Sequence, residues 1–287
     1  MTGPVPAASG TGDAGLPIHP VTGRTRVYLH LAHPSSHVRT PQVMNRAFTD
    51  RGIDAVAVSA DVAPADLAGF LSGLRGWHNL AGLGVTMPHK QAAAALMDRL
   101  ARQARFIGAV NTVRREAGGD LTGTNTDGEG FVAGLRGAGI EPAGRRALLV
   151  GAGGAGRAIA YALATAGAAS LTLADRTPGQ AGQLAAGLTA NIPEVTVRTG
   201  PPEPAGHDLV INATPLGMKP GDPLPVPAER LAPGTVVCDI VTSPPRTRLL
   251  DEARNRGCVT VPGMPMLACQ VDLIIEFLGL HPAGAGP

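Results

Sequence analysis

A chain of 287 residues with a hydrophobic fraction of 44% exceeds what one core serves, since single cores stop growing near about 250 residues, so two domains are expected. A net charge of +2, scattered basic residues and only 3% aromatics give no case for a nucleic-acid surface. No run reaches the roughly 18 apolar residues that a membrane span needs.

Residues 1–20 carry neither a basic start nor an apolar run and read as a disordered leader, not a signal peptide. Arg26 to Leu31 (RVYLHL) is an apolar strand, and residues 32–41 form a loop rich in proline and serine. Thr40-Pro41 opens a helix, with Thr40 as N-cap and Pro41 at the first helical position. Ile53 to Val58 reads as a strand, Pro64 to Leu74 as a helix, and Leu83 to Thr86 as a strand stopping at Met87-Pro88-His89-Lys90. A helix over Gln91 to Ala104 follows, and Asn111 lies just past Gly108-Ala109-Val110. Strands alternating with helices imply an α/β fold with a mainly parallel sheet, whose ligands sit beyond the carboxyl ends of the strands. Thr86, Lys90 and Asn111 lie at such ends.

Residues 121–130 (LTGTNTDGEG) read as a polar connection into a helix from Phe131. Beyond it, the strand Ala147–Val150 runs into Gly151-Ala152-Gly153-Gly154-Ala155-Gly156, followed by an Ala-rich helix and a second strand, Leu171–Ala174, ending at Asp175. This is G-x-G-x-x-G in a strand–helix–strand context with a terminal acid, the signature of a Rossmann-type dinucleotide site. Gly151 allows the turn, Gly153 lets the backbone approach a pyrophosphate, and Gly156 permits close packing of helix on strand. The segments Leu209–Ala213, Thr235–Ile240 and Val259–Val261 continue as strands. A final helix, Met266 to Leu278, is placed so that the chain returns to its first domain. The expected division is a substrate domain over 21–118, a nucleotide domain over 119–262, the returning helix over 263–280 and a disordered tail over 281–287.

A nicotinamide site needs a group that moves a proton while hydride moves. Of 24 basic residues only Lys90 and Lys219 are lysine. Lys90 paired with Asp127 is the candidate: an amine transfers protons near neutral pH when burial or dipoles reduce its hold on them, and a carboxylate in contact orients it. The plainer reading makes Lys90 a solvated residue of a first helical turn and Asp127 a helix N-cap. Asn111 and Thr86 suit a polyol, or else a turn and a strand end. Gln270, among apolar neighbours, is either a substrate contact or a satisfied helix-contact amide. His30, His33, His37 and His89 are scattered, with no spacing for a metal. Cys238, Cys258 and Cys269 fit no metal spacing either and read as thiols in a reducing compartment, so a cytoplasmic location is expected.

In this order, S-x-x-R-T-P around Thr40, V-T-M-P-H-K ending at Lys90, G-A-V-N-T at Gly108–Thr112, N-T-D-G at Asn125–Gly128 and G-A-G-G-A-G-R from Gly151 resemble the shikimate dehydrogenase family. I-N-A-T-P-L-G-M from Ile211 and G-M-P-M-L-A-C-Q from Gly263 match as well, so the resemblance covers about residues 24 to 280. It implies a two-domain enzyme that reversibly oxidises a ring hydroxyl of a cyclohexane-type carboxylic acid with NAD or NADP. On that resemblance Lys90 and Asp127 fall on the catalytic pair, and Thr40, Thr86, Asn111 and Gln270 on substrate positions. Gly151 to Gly156, Asp175, Arg176, Thr177, Ala213, Thr214, Pro215 and Gly263 fall on the cofactor side.

Three substrate positions depart from the family pattern. Val38 stands for a carboxylate-binding hydroxyl, Gly84 for an asparagine that holds a ring hydroxyl, and Thr242 for a longer tyrosine. Arg39 or His37 is the candidate replacement for the carboxylate contact. Asp175 would accept from a ribose 2′-hydroxyl and repel a 2′-phosphate, which favours NAD over NADP. The alternatives are an NAD(P)-binding sensor without turnover, or a dehydrogenase for an unrelated small acid. A homodimer is compatible with these helices.

Overall fold

The computed structural model describes residues 20–282 except His37 and Pro178. The first unit runs β1 (Arg26–Ala32), α1 (Thr40–Asp50), β2 (Ala55–Asp61), α2 (Leu67–Leu74), β3 (Leu80–Val85), α3 (Lys90–Ala94), β4 (Arg99–Leu100), α4 (Arg102–Ile107), β5 (Thr112–Arg115) and β6 (Leu121–Thr124). The second runs α5 (Asp127–Gly137), β7 (Arg146–Val150), α6 (Gly154–Thr165), β8 (Ser170–Ala174), α7 (Gln180–Asn191), β9 (Thr196–Thr199), β10 (Leu209–Asn212), β11 (Val236–Asp239), α8 (Arg248–Asn255) and β12 (Val259–Val261). The last helix is α9 (Met264–Leu278).

The strands form two six-stranded sheets, ordered β2-β1-β3-β5-β6-β4 and β12-β11-β10-β7-β8-β9. In the first sheet β5 runs antiparallel to β3 and β6, while the second is parallel throughout. The second sheet reverses its winding between β7 and β10, the topological switch point at which doubly wound sheets bind ligands.

β1 shows why the first sheet is two-sided. Leu29 and Leu31 pack toward Leu67, Leu71 and Ala93, whereas Tyr28 packs against Met44, Phe48 and Ile274. Alternate residues of a strand point to opposite faces, so a run apolar on both suits a central strand. On the Tyr28 face α9 completes the core with Val271, Ile274 and Leu278, each contributing about 1.5–3 kcal/mol of burial. This helix packs on α1, β5 and α5. A β-carbon at Gly130 or Gly134 of α5 would run into α9 at Met266, which is why these two helices cross so closely.

Four expectations need correction. Residues 91–104 do not form one helix: Asp98 Oδ2 accepts the Leu121 amide at 2.7 Å, and Arg99-Leu100 pair with Thr122-Gly123, so edge pairing overrides the Ala-rich helical preference. Residues 121–124 are a strand of the first sheet, which therefore extends past the boundary at 118, and α5 starts at Asp127 rather than Phe131. Thr40 is the first helical residue, not the cap; Arg39 precedes it with no capping side chain. The strand expected over 83–86 starts at Leu80.

Candidate active site

The second sheet builds a phosphate cradle at its switch point. Gly151 follows β7 with φ +105°, a left-handed conformation glycine tolerates, and a β-carbon there would press on the Ala213 carbonyl at 2.8 Å. A β-carbon at Gly156 would strike the Gly151 carbonyl, so α6 packs tightly under the turn. Gly153 has open space around it. The 12-residue helix α6 begins with no capping side chain and no acidic residue in its first turn, and Gly154 and Ala155 face a cleft of about 530 Å³. Uncapped amides at a helix N-terminus, reached over a side-chain-free surface, fit a pyrophosphate.

Asp175, at the end of β8, holds this loop together. Its Oδ2 accepts the Ala152 amide and its Oδ1 the Thr177 amide, each at 2.6 Å. Both oxygens thus have a backbone partner, while Arg176 beside it is exposed.

Across the cleft stand Lys90, the first residue of α3, and Asp127, the first residue of α5. Lys90 Nζ donates to Asp127 Oδ2 at 2.6 Å, with side chains 20% and 8% exposed. Both face the cleft that Gly153, Gly154 and Ala155 line from the other side. Asp127 Oδ1 accepts from Asn111 Nδ2 at 2.9 Å. The Asn111 amide also reaches Thr126 Oγ1 at 3.1 Å and Gln270 Oε1 at 3.2 Å, and its Oδ1 accepts the Thr126 backbone amide at 2.9 Å. Gln270 Oε1 also accepts from the Thr126 hydroxyl at 3.2 Å. One buried network therefore joins β5, α5 and α9 behind the Lys90–Asp127 pair, and satisfied networks of this kind fix geometry.

A second network shapes the far wall. Asn212 Nδ2 donates to Asp239 Oδ1 at 3.0 Å, and its Oδ1 accepts from the Thr214 hydroxyl at 2.6 Å. Asp239 further accepts from Thr247 Oγ1 at 2.7 Å and from the Val241 amide at 3.1 Å. Burial pushes the Asp239 carboxyl up, and these donors oppose the shift. The loops so pinned present Ala213, Thr214, Pro215 and Thr242 to the cleft.

Of the other residues singled out by sequence, Thr86, Gln270 and Gly263 line the cleft. Asn111 lies behind Asp127, and Gly84 is buried inside β3. Val38 and Thr40 are half-buried at the start of α1, and Arg39 there is exposed; none of the three forms a cleft wall. His37 lies outside the described residues. Sequence reasoning missed Thr126, although its place between Asn125 and Asp127 was a signal, and the apolar walls Met87, Ile240 and Val241.

The domains are bound by Arg157 of α6, whose Nε donates to the Ile107 carbonyl of α4 at 2.9 Å, and by the Phe106–Tyr161 ring contact at 4.9 Å. Among the described residues no helix is long and apolar enough to cross a membrane.

Residues 31–113 match the shikimate dehydrogenase substrate binding domain. The chain is 47% identical over 268 residues to a shikimate dehydrogenase (NADP(+)) of Rubrobacter xylanophilus, covering 91% of this chain and 94% of that protein. Its fold is similar to the ligand-free 5-ketofructose reductase of Gluconobacter sp. strain CHM43, with TM-score 0.82 and 35% identity over 90% of this chain and 94% of that one. It is also similar to the quinate dehydrogenase of Corynebacterium glutamicum in complex with NAD, with TM-score 0.80 and 33% identity over 90% and 95%. With identity at this level along nine-tenths of its length, the chain belongs to the shikimate dehydrogenase family.

Proposed function

We propose that the protein is an NAD(P)-dependent dehydrogenase that reversibly oxidises a ring hydroxyl of a shikimate- or quinate-like hydroxy acid. The observation that carries this reading is the Lys90–Asp127 pair opening onto the same cleft as the glycine cradle at Gly153–Ala155. The bound nicotinamide supplies the hydride acceptor. Asp127 binds the substrate hydroxyl and holds the Lys90 amine toward it. Lys90 Nζ takes the proton from the hydroxyl oxygen as hydride leaves the carbon that bears it and the C=O bond forms, and it returns the proton in the reverse direction. Thr86 and Gln270 line the cleft beside the pair and offer hydrogen bonds to other ring oxygens, and Met87, Ile240 and Val241 form its apolar wall along the transfer path.

NAD is the favoured cofactor, because the Asp175 carboxylate places negative charge at the end of β8, where a 2′-phosphate would meet repulsion. The quinate dehydrogenase of similar fold is described with NAD. Against this preference stand the NADP(+) named for the Rubrobacter relative and the exposed Arg176. Free Cys238, Cys258 and Cys269 fit a reducing compartment such as the cytoplasm.

A second substrate reading is favoured by Val38, which offers no hydroxyl for a carboxylate, and by the likeness to 5-ketofructose reductase: an uncharged polyol or keto-sugar. One experiment covers both. Nicotinamide absorbance is followed with purified protein, each cofactor, and a panel of shikimate, quinate, aminoshikimate and 5-ketofructose. Turnover of a cyclohexane acid supports the first reading, turnover of 5-ketofructose alone the second. Cofactor binding with no turnover of any member would make the protein a nucleotide-binding sensor and overturn both.

A further inference from the structure

Beneath α9, the first sheet carries polar atoms that the reaction above does not use. In the register of β1 on β3, Tyr28 lies opposite Gly82 and His30 opposite Gly84. A β-carbon built on Gly84 would collide with both Tyr28 Oη and His30 Nδ1. Two side chains from β1 therefore fill the space that a side chain of β3 would occupy. Both residues are buried, at 0% and 7% exposure, and among the described residues neither Tyr28 Oη nor His30 Nδ1 has a hydrogen-bond partner. A buried polar atom without a partner costs stability and calls for a physical reason, and here two converge on one point.

That point borders the reacting groups. The Leu31 carbonyl, next to His30, accepts the amide of Thr86 of the cleft wall at 3.0 Å, and Gly84 is two residues before that Thr86. On its other side Gly84 pairs with Thr112, next to Asn111 of the Asp127 network. A phenol O–H that donates beside a neutral imidazole nitrogen that accepts is complementary to a group that both accepts and donates, as a sugar or cyclitol hydroxyl does. A ring carboxylate satisfies only the donor.

We propose that His30, backed by Tyr28 over Gly84, is a substrate-selecting residue that hydrogen-bonds a hydroxyl of the substrate other than the one oxidised at Lys90. Gly84 is required for this arrangement, because any larger residue would evict the pair. The consequence is a substrate preference set from β1 rather than from β3: compounds bearing a hydroxyl at that ring position are accepted, and those lacking it are rejected. The inference rests on the dehydrogenase reading and deepens it.

The test is steady-state kinetics of the wild type, His30→Val, Tyr28→Phe, Gly84→Asn and the triple variant on the same panel, with cofactor KM and melting midpoint measured in parallel. His30→Val is expected to raise the KM of the best substrate about tenfold or more, with cofactor KM unchanged, and Tyr28→Phe to do so less. Gly84→Asn alone is expected to melt lower through the clash. Adding His30→Val and Tyr28→Phe restores the melting midpoint and alters the order of preference within the panel. An active wild type whose His30→Val variant keeps every substrate KM, and changes only in melting, would show a structural role and overturn this inference alone. A wild type that turns over no member of the panel overturns it together with the dehydrogenase reading.

Discussion

Lys90 and Asp127 each begin a helix, and they meet at 2.6 Å although 37 residues separate them. Their contact fixes an amine at the mouth of the nucleotide cleft without exposing it fully to water. Lys90→Met is therefore expected to lower kcat by about two to four orders of magnitude, the usual worth of a positioned proton-transfer group, while cofactor affinity stays unchanged. Asp127→Asn keeps the shape but loses the charge. Its effect on kcat/KM is expected to be smaller, and the double variant no worse than Lys90→Met alone. Stopped-flow absorbance with cofactor titration checks both; independent, additive losses would show that the pair does not act as a unit.

The glycine loop separates packing from ligand binding. Gly156→Ala drives a methyl into the Gly151 carbonyl, so it is expected to destabilise the fold by about 1–3 kcal/mol. Gly153→Ala meets only open space, so the free protein should melt as before while its cofactor Kd rises. Calorimetry with and without cofactor distinguishes the two, and equal melting losses would refute the division of labour.

Asp175 has a loop-holding role and a proposed part in cofactor choice, which substitution can divide. Asp175→Asn retains one carbonyl oxygen for the Ala152 or Thr177 amide and removes the charge. The ratio of kcat/KM for NADP over NAD is expected to rise about tenfold, with a modest fall in thermal stability. An unchanged ratio would place cofactor choice elsewhere, Arg176 being the nearest candidate.

Much of this architecture was legible in the chain because its signals are local. The Gly151–Asp175 unit couples an apolar strand, a glycine turn and a helix within thirty residues, and the structure keeps each in place. β5 and β6 escaped notice because each has only four residues, β5 ending in adjacent arginines and β6 interrupted by Gly123, so neither shows a usable apolar alternation. Arg114 stacks 5.1 Å from the Phe277 ring and donates to the Phe277 carbonyl at 3.0 Å, and Arg115 donates to the Arg75 carbonyl, long-range contacts that no local pattern contains. The cleft side was read through Lys90 and Asp127, whereas the significance of Tyr28 and His30 needed the register of β1 on β3.

Acid should reveal His30 as a titrating element. Burial, and then the charge of Lys90, hold its pKa down to about 4. Since the unfolded residue titrates near about 6.5, the unfolded chain gains a proton between these values that the folded one refuses. The stability tied to this group is therefore complete above about pH 6.5 and declines as pH falls toward 4. His30→Leu is expected to flatten that part of the melting profile relative to the wild type. Parallel profiles for the two proteins between pH 6.5 and 4 would contradict it.

α9 contributes Gln270 to the Asn111–Thr126 network and its apolar side to the first sheet, yet it follows every described strand of both sheets in the order of synthesis. Translation therefore delivers the strands of both sheets before α5, which carries Asp127, acquires the neighbour against which Gly130 and Gly134 are shaped. Both sheets can assemble during translation, but the Lys90–Asp127 pair gains its full support only once α9 has docked. A chain that stops between Val261 and Leu278 is therefore expected to keep its nucleotide fold beside a substrate half that lacks its closing helix.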